Sequence, residues 1–117
     1  MRSGVLLKAS NKLRIAKETE LIEEIMKRLG KEEKTVSYGL VSVKKAINSG
    51  AVEALIIADS LLRESLESDR IKLDELMIEV ENQKGRISII STEHEGGIKL
   101  LSLGGIVALL RYPLYSE

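Results

Sequence analysis

The chain has no cysteine. That excludes a disulfide framework, a thiolate metal site and a cysteine nucleophile, and it fits a cytoplasmic protein. Phenylalanine and tryptophan are also absent, and tyrosine occurs three times. The core must therefore be Leu, Ile, Val and Ala. A base-stacking nucleic-acid surface, which needs exposed aromatic platforms, is disfavoured. A single histidine, His94, leaves no donor set for a strong zinc site. No apolar run reaches the roughly 18 to 20 residues of a membrane span, and no signal-peptide pattern is visible. Neither Gly96-Gly97 nor Gly104-Gly105 continues into Lys-Ser or Lys-Thr, and there is no GxGxxG, so the phosphate-binding loops are missing. Net charge is zero, so nothing draws the whole molecule towards RNA or lipid.

What is present describes one globular domain. The hydrophobic fraction is 44% and the charged fraction 31% over 117 residues, enough for one core. Charge is uneven: residues 1–17 carry Arg2, Lys8, Lys12, Arg14 and Lys17 and no acid. Residues 1–13 show no sustained period and read as a lead-in, the tail of a neighbouring domain or a tag. Its cations read as a solvated arm in preference to a phosphate contact. The domain proper spans 14–117.

Hydrophobic periodicity then predicts alternating elements. A helix over 15–29 carries Leu21, Ile25 and Leu29, with Ile22 and Met26 beside them, and stops at Gly30. Its acids Glu18, Glu20, Glu23 and Glu24 read as a solvated helix start. A short extended segment over 35–37 precedes a helix over 40–48. Residues 51–58, AVEALIIA, read as a strand covered on both faces. Asp59 sits at that strand's carboxyl end, where α/β sheets place ligand sites. The preferred reading makes it the N-cap of a short turn over 61–65. Residues 66–69 read as a polar linker, with Asp69 capping a helix over 70–83 and Gly85 closing it.

The organising unit is the stretch from Arg86 to Tyr112. It predicts a strand over 86–91, a helix over 93–102 capped by Ser91 or Thr92, and a strand over 106–112. Gly104-Gly105 ends the helix in the left-handed conformation that such ends need. Gly97, inside the helix, costs about 1 kcal/mol relative to Ala, which implies a close packing contact or a tight approach by another backbone. A connection of this length suits a parallel return, so both strands are expected in one sheet. The whole chain reads as a single-domain α/β sandwich, a small mixed sheet with helices on both faces.

No catalytic set emerges. His94 lies beside Glu93 and Glu95, a pairing that suits acid–base work, yet no second element offers a partner and a surface role at the helix start is preferred. Arg111 is the one cation in an apolar strand. An internal pair with a carboxylate and a contact with a partner are equally good readings of it.

These residues resemble a known family. Tyr38-Gly39, Val43-Lys44-Lys45-Ala46, Gly50-Ala51-Val52-Glu53 with Leu55-Ile56-Ile57, and Leu61-Leu62 are similar to the C-terminal domain of Pelota. So are Ser91, His94-Glu95, Gly97, Leu100, Leu103-Gly104-Gly105-Ile106, Ala108 and Leu110-Arg111, and the run from Arg14 to Leu21 is similar to the junction with Pelota's central domain. The related C-terminal domain of the archaeal and eukaryotic class-one peptide-release factor usually carries an inserted minidomain, often with cysteine pairs, which this chain lacks. An archaeal Pelota is the better match. The resemblance implies a fold akin to the kink-turn-RNA-binding ribosomal proteins. It implies a role in no-go decay and rescue of stalled ribosomes: a non-enzymatic docking module for a translational GTPase and for the ATP-binding-cassette ATPase that splits the ribosome. On this reading the domain is a cytoplasmic monomer without cofactor, and its partner-facing residues include His94, Glu95, Gly104, Gly105 and Arg111. The alternative is an rRNA-binding module that uses the basic lead-in.

Overall fold

The computed structural model describes residues 2–113, with side chains from Lys12 onward. The side chains of residues 1–11, including Arg2 and Lys8 of the basic run, lie outside the described residues. The element order is α1 (Arg2–Gly30), β1 (Val36–Tyr38), α2 (Leu40–Asn48), β2 (Val52–Ala58), α3 (Asp59–Glu64), α4 (Glu67–Asn82), β3 (Arg86–Ile90), α5 (Glu95–Ser102) and β4 (Ile106–Leu110).

The four strands form one mixed sheet in the order β1-β4-β2-β3. β4 runs antiparallel to both β1 and β2, whereas β3 runs parallel to β2. Helices cover both faces. Val43, Ala46 and Ile47 of α2 and Leu73 and Val80 of α4 pack on Leu55, Ile57 and Ala108. On the other face Ile22 and Ile25 of α1 and Leu100 of α5 pack on Ala54, Ile56 and Val107. Each such Ile or Leu contributes about 1.5–3 kcal/mol by leaving water. β2 serves both layers because its side chains alternate across the sheet, which is why it is apolar almost throughout. A register shift between Val52 and Ala54 turns Glu53 out to solvent.

Four expectations change. α1 does not begin near Ile15: its backbone is helical from Arg2, continuous with the lead-in. The segment holds good helix formers and no proline, so propensity carries the helix where apolar periodicity is lost. Residues 66–69 are not a linker, since α4 starts at Glu67 with Leu66, not Asp69, at the N-cap. The left-handed residue after α4 is Lys84, at φ 64, and not Gly85. Gly85 is required for its missing side chain, because a Cβ there would lie 2.8 Å from Val80 Cγ1 and 2.9 Å from the Val52 carbonyl oxygen. Finally, β3 and β4 share the sheet but β2 separates them, and they are antiparallel. The crossover length sets a minimum for a parallel return without forbidding an antiparallel one.

This topology gathers the carboxyl ends of β1, β2 and β3 and the start of β4 at one end of the sheet. The β3–α5 connection, the start of α3 and the Gly104-Gly105 turn all lie there.

Candidate functional site

The best-connected polar cluster lies where α1 crosses the β3–α5 connection. Glu18 is on the α1 stripe that includes Ile22, Ile25 and Leu29, and it is 7% exposed. Its Oε1 accepts the Ser91 N–H at 3.1 Å and sits 2.7 Å from His94 Nε2, while its Oε2 accepts Arg14 Nε–H at 2.8 Å. On the far side of the imidazole, Nδ1 accepts the Gly96 N–H at 3.2 Å and so caps α5. Nδ1 therefore carries no proton in this arrangement, and Nε2–H is the donor to Glu18. Burial pushes the Glu18 carboxyl up, but the bonds from His94, Arg14 and Ser91 outweigh it and hold the group below its ordinary 4.5.

A second carboxylate ties the same connection from the other side. Asp59 Oδ1 accepts the Thr92 N–H at 3.1 Å and the Thr92 hydroxyl at 2.9 Å. Burial opposes ionisation of Asp59 as well, and the two Thr92 bonds with Arg63 nearby outweigh it, so its pKa falls below 3.8. Asp59 is the first residue of α3, not its N-cap; that cap position is Ala58. Likewise neither Ser91 nor Thr92 caps α5, which begins at Glu95 after His94. Of the two readings of Gly97, a packing contact or a backbone approach, the structure has the second: a Cβ there would be 1.9 Å from the Ser91 carbonyl oxygen.

Chemically this is a clamp. Both ring nitrogens of His94 are engaged, so neither is open to exchange a proton with a substrate. The sequence offered Glu93 and Glu95 as partners of His94, but the partner is Glu18. Glu95 is exposed, 3.8 Å from Lys99. A shallow cleft of about 230 Å³ lined by Arg14, Glu93 and His94 lies beside the clamp. Among the described residues no group of three or more His, Asp or Glu is placed to hold a metal ion. Nor is any helix there long and apolar enough to cross a membrane.

The five residues singled out in the sequence do not form one patch. His94 and Glu95 start α5, and Gly104 and Gly105 follow its end, roughly 12 Å along the axis at 1.5 Å per residue. Both glycines have positive φ, 100° and 80°. Gly104 lies against Gly39, and the neighbouring Leu40, Val41 and Leu101 are exposed, Val41 to 72%. Arg111 is at the opposite end of the sheet, roughly 20 Å from Gly105 along β4. Its guanidinium makes no ion pair among the described residues; it donates to the Gln83 main-chain carbonyl at 2.7 Å, at the negative end of α4. Reasoning from sequence missed Glu18. The available signal was its position on the apolar stripe, four residues before Ile22 and seven before Ile25.

The family model of eRF1 domain 3 matches residues 15–114. The chain belongs to the eRF1 domain 3 family. Within that family it is similar to Pelota. A Pelota homologue from Thermococcus kodakarensis is 41% identical over 112 residues, covering 96% of this chain and 30% of that protein. The chain thus spans about a third of the length of the curated relatives it matches. A structure of ribosome-bound archaeal Pelota and ABCE1 is 40% identical, with a TM-score of 0.81 over 98% of this chain and 31% of that one. Dom34 of S. cerevisiae, described as a termination-like factor in RNA quality control that interacts with Hbs1, is 32% identical, with a TM-score of 0.82 over 87% of this chain and 28% of that one. The C-terminal domain of a peptide chain release factor from Methanosarcina mazei shares the fold alone, at 18% identity and a TM-score of 0.78 over 94% of this chain and 93% of that one. This eRF1 domain 3 therefore has the α/β architecture of the Pelota C-terminal domain.

Proposed function

We propose that this domain is the non-enzymatic docking module of a Pelota-type factor that works in the cytoplasm on stalled ribosomes. It holds a translational GTPase before delivery and meets an ATP-binding-cassette ATPase when the subunits split. The observation that carries this is the likeness at 40% identity, over 98% of the chain, to the Pelota seen on the ribosome with ABCE1. The interaction of Dom34 with Hbs1 supports the GTPase side. Geometry agrees with docking over catalysis: His94 is committed to Glu18 and to the α5 cap, whereas Gly104 stands exposed beside Leu40, Val41 and Leu101, with Gly105 buried behind it. That apolar end of the sheet is the face assigned to a protein partner, with Glu95 at the other end of α5 and Arg111 a separate contact.

Pull-down of the 117-residue chain against both partners, at low and high salt, tests this. Retention of either protein, weakened by Val41→Asp or Leu101→Asp without loss of helicity, is expected. Retention of neither overturns it. Capture of ribosomal RNA alone, lost steeply with salt, would move the function to the basic first helix.

A further inference from the structure

The two edges of the sheet are unlike. β1 is an edge of three residues, too short to template much pairing. β3 has five residues, pairs only with β2, and shows no register shift against it. Alternate residues of β3 turn their N–H and C=O away from β2, outside that ladder. The strand itself carries little of the usual protection of an edge: its sequence, Arg-Ile-Ser-Ile-Ile, has no proline and a single charge at its start, and Ile89 is 44% exposed.

Beside this edge runs a groove of about 380 Å³ between β3 and α1, lined by Leu13, Leu21, Ser88 and Ile89 with Arg14 and Lys17 among the walls. The groove is mainly apolar yet carries positive charge. Arg14 uses Nε on Glu18, and its two terminal nitrogens take no acceptor among the described residues. Lys17 is exposed and makes no ion pair among them, and Arg86 adds a third cation at the start of the strand. The acid in the lining, Glu18, has both oxygens occupied by Arg14, Ser91 and His94, which leaves the net charge of the groove positive.

We propose that the β3 edge and the α1 groove together bind an extended acidic peptide as an added strand. Its main chain pairs with the outward backbone groups of β3. Its apolar side chains enter the groove by Leu13 and Leu21, and its carboxylates meet Arg14 and Lys17. Charge complementarity selects an acidic occupant over a second copy of this chain, because edge-to-edge pairing of two copies would bring Arg14 and Lys17 of each together. This surface runs along the β3 edge, two strands across the sheet from the start of β4 at the Gly104-Gly105 turn, and it stands or falls independently of the docking function.

The test titrates the chain with a short synthetic peptide of alternating Glu and Val, and with the same peptide carrying Lys for Glu, reading affinity by fluorescence anisotropy and amide hydrogen exchange site by site. The acidic peptide is expected to bind and to protect amides of Arg86–Ile90. Leu13→Asp and Lys17→Glu, both at exposed positions outside the clamp, should each weaken binding about tenfold or more with an unchanged melting temperature. No binding, equal binding of the Lys peptide, or binding without protection of β3 overturns the proposal. So does protection of β3 that rises with protein concentration in the absence of peptide, which would assign the edge to a second copy.

Discussion

The two ends of α5 are held in different ways. Its start is held by side chains: His94 caps it, Glu18 fixes His94 and Ser91, and Asp59 fixes Thr92. Its end is held by backbone conformation, with Gly104 and Gly105 at positive φ and the Gly105 N–H donating to the Leu100 carbonyl at 3.0 Å. The first arrangement joins three elements distant in sequence, and the second needs only two adjacent residues. Mutation should therefore spread far from the start of α5 and stay local at its end.

The largest effect belongs to the start. Gly97→Ala places a Cβ 1.9 Å from the Ser91 carbonyl oxygen, and that oxygen belongs to the loop that Glu18 and Asp59 already fix. The loop cannot give way without breaking their bonds, so a loss of about 3 kcal/mol or more is expected in urea unfolding. Gly30→Ala is the control, since nothing lies within 4 Å of its added Cβ; it should be neutral or stabilise by about 0.5 kcal/mol.

Next is Glu18→Gln, which keeps an acceptor for Ser91 and His94 but removes the charge. A loss of about 2 kcal/mol is expected at pH 7. The pH dependence separates charge from packing. The folded carboxyl titrates below its ordinary 4.5, so its contribution is complete above that value and is lost as pH falls through the lower folded pKa. The difference between wild type and Glu18→Gln should therefore hold from pH 7 to about pH 5 and shrink in more acidic solution. A difference that persists in acid would mean that shape, not charge, carries the clamp.

The same contrast accounts for what could be read in the sequence. The end of α5 was legible because a glycine pair after an apolar helix has a local cause. Gly97 was legible too, since a glycine inside a helix signals crowding. Strand β2 and helix α2 showed in their apolar patterns. The start of α5 was not legible: Glu18 and His94 are 76 residues apart in the chain and Asp59 and Thr92 are 33 apart, and nothing local marks either pair. Acids near a helix start normally face water, so Glu18 looked ordinary until the fold set it against the Ser91 N–H. Arg111 was legible only as an oddity, because its acceptor is a main-chain carbonyl at the end of α4, which no side-chain pattern can encode.

At the end of α5 a smaller and more local loss is expected. Gly104→Ala and Gly105→Ala should each cost about 1–2 kcal/mol, the penalty for a Cβ in the left-handed region. Neither should alter the hydrogen-exchange protection of the Ser91 and Gly96 amides. If either substitution loosens those amides, the two ends of α5 are one cooperative unit and the contrast drawn between them fails.

The smallest effect comes from α4, which ends by the same backbone logic but with a lysine at the left-handed position. After α4 the Lys84 N–H donates to the Glu81 carbonyl and the Gly85 N–H to the Val80 carbonyl, both at 2.9 Å, so Lys84 occupies the position where glycine is usual. Lys84→Gly removes the strain of φ 64 and should stabilise the domain by about 0.5–1 kcal/mol. Gly85→Ala should destabilise it, because Val80 and the Val52 carbonyl leave no room for a Cβ. Opposite signs at adjacent positions, read as shifts of the urea midpoint, would show that conformation governs one residue and space the next. Equal signs would mean that the turn re-forms with the two residues exchanging roles.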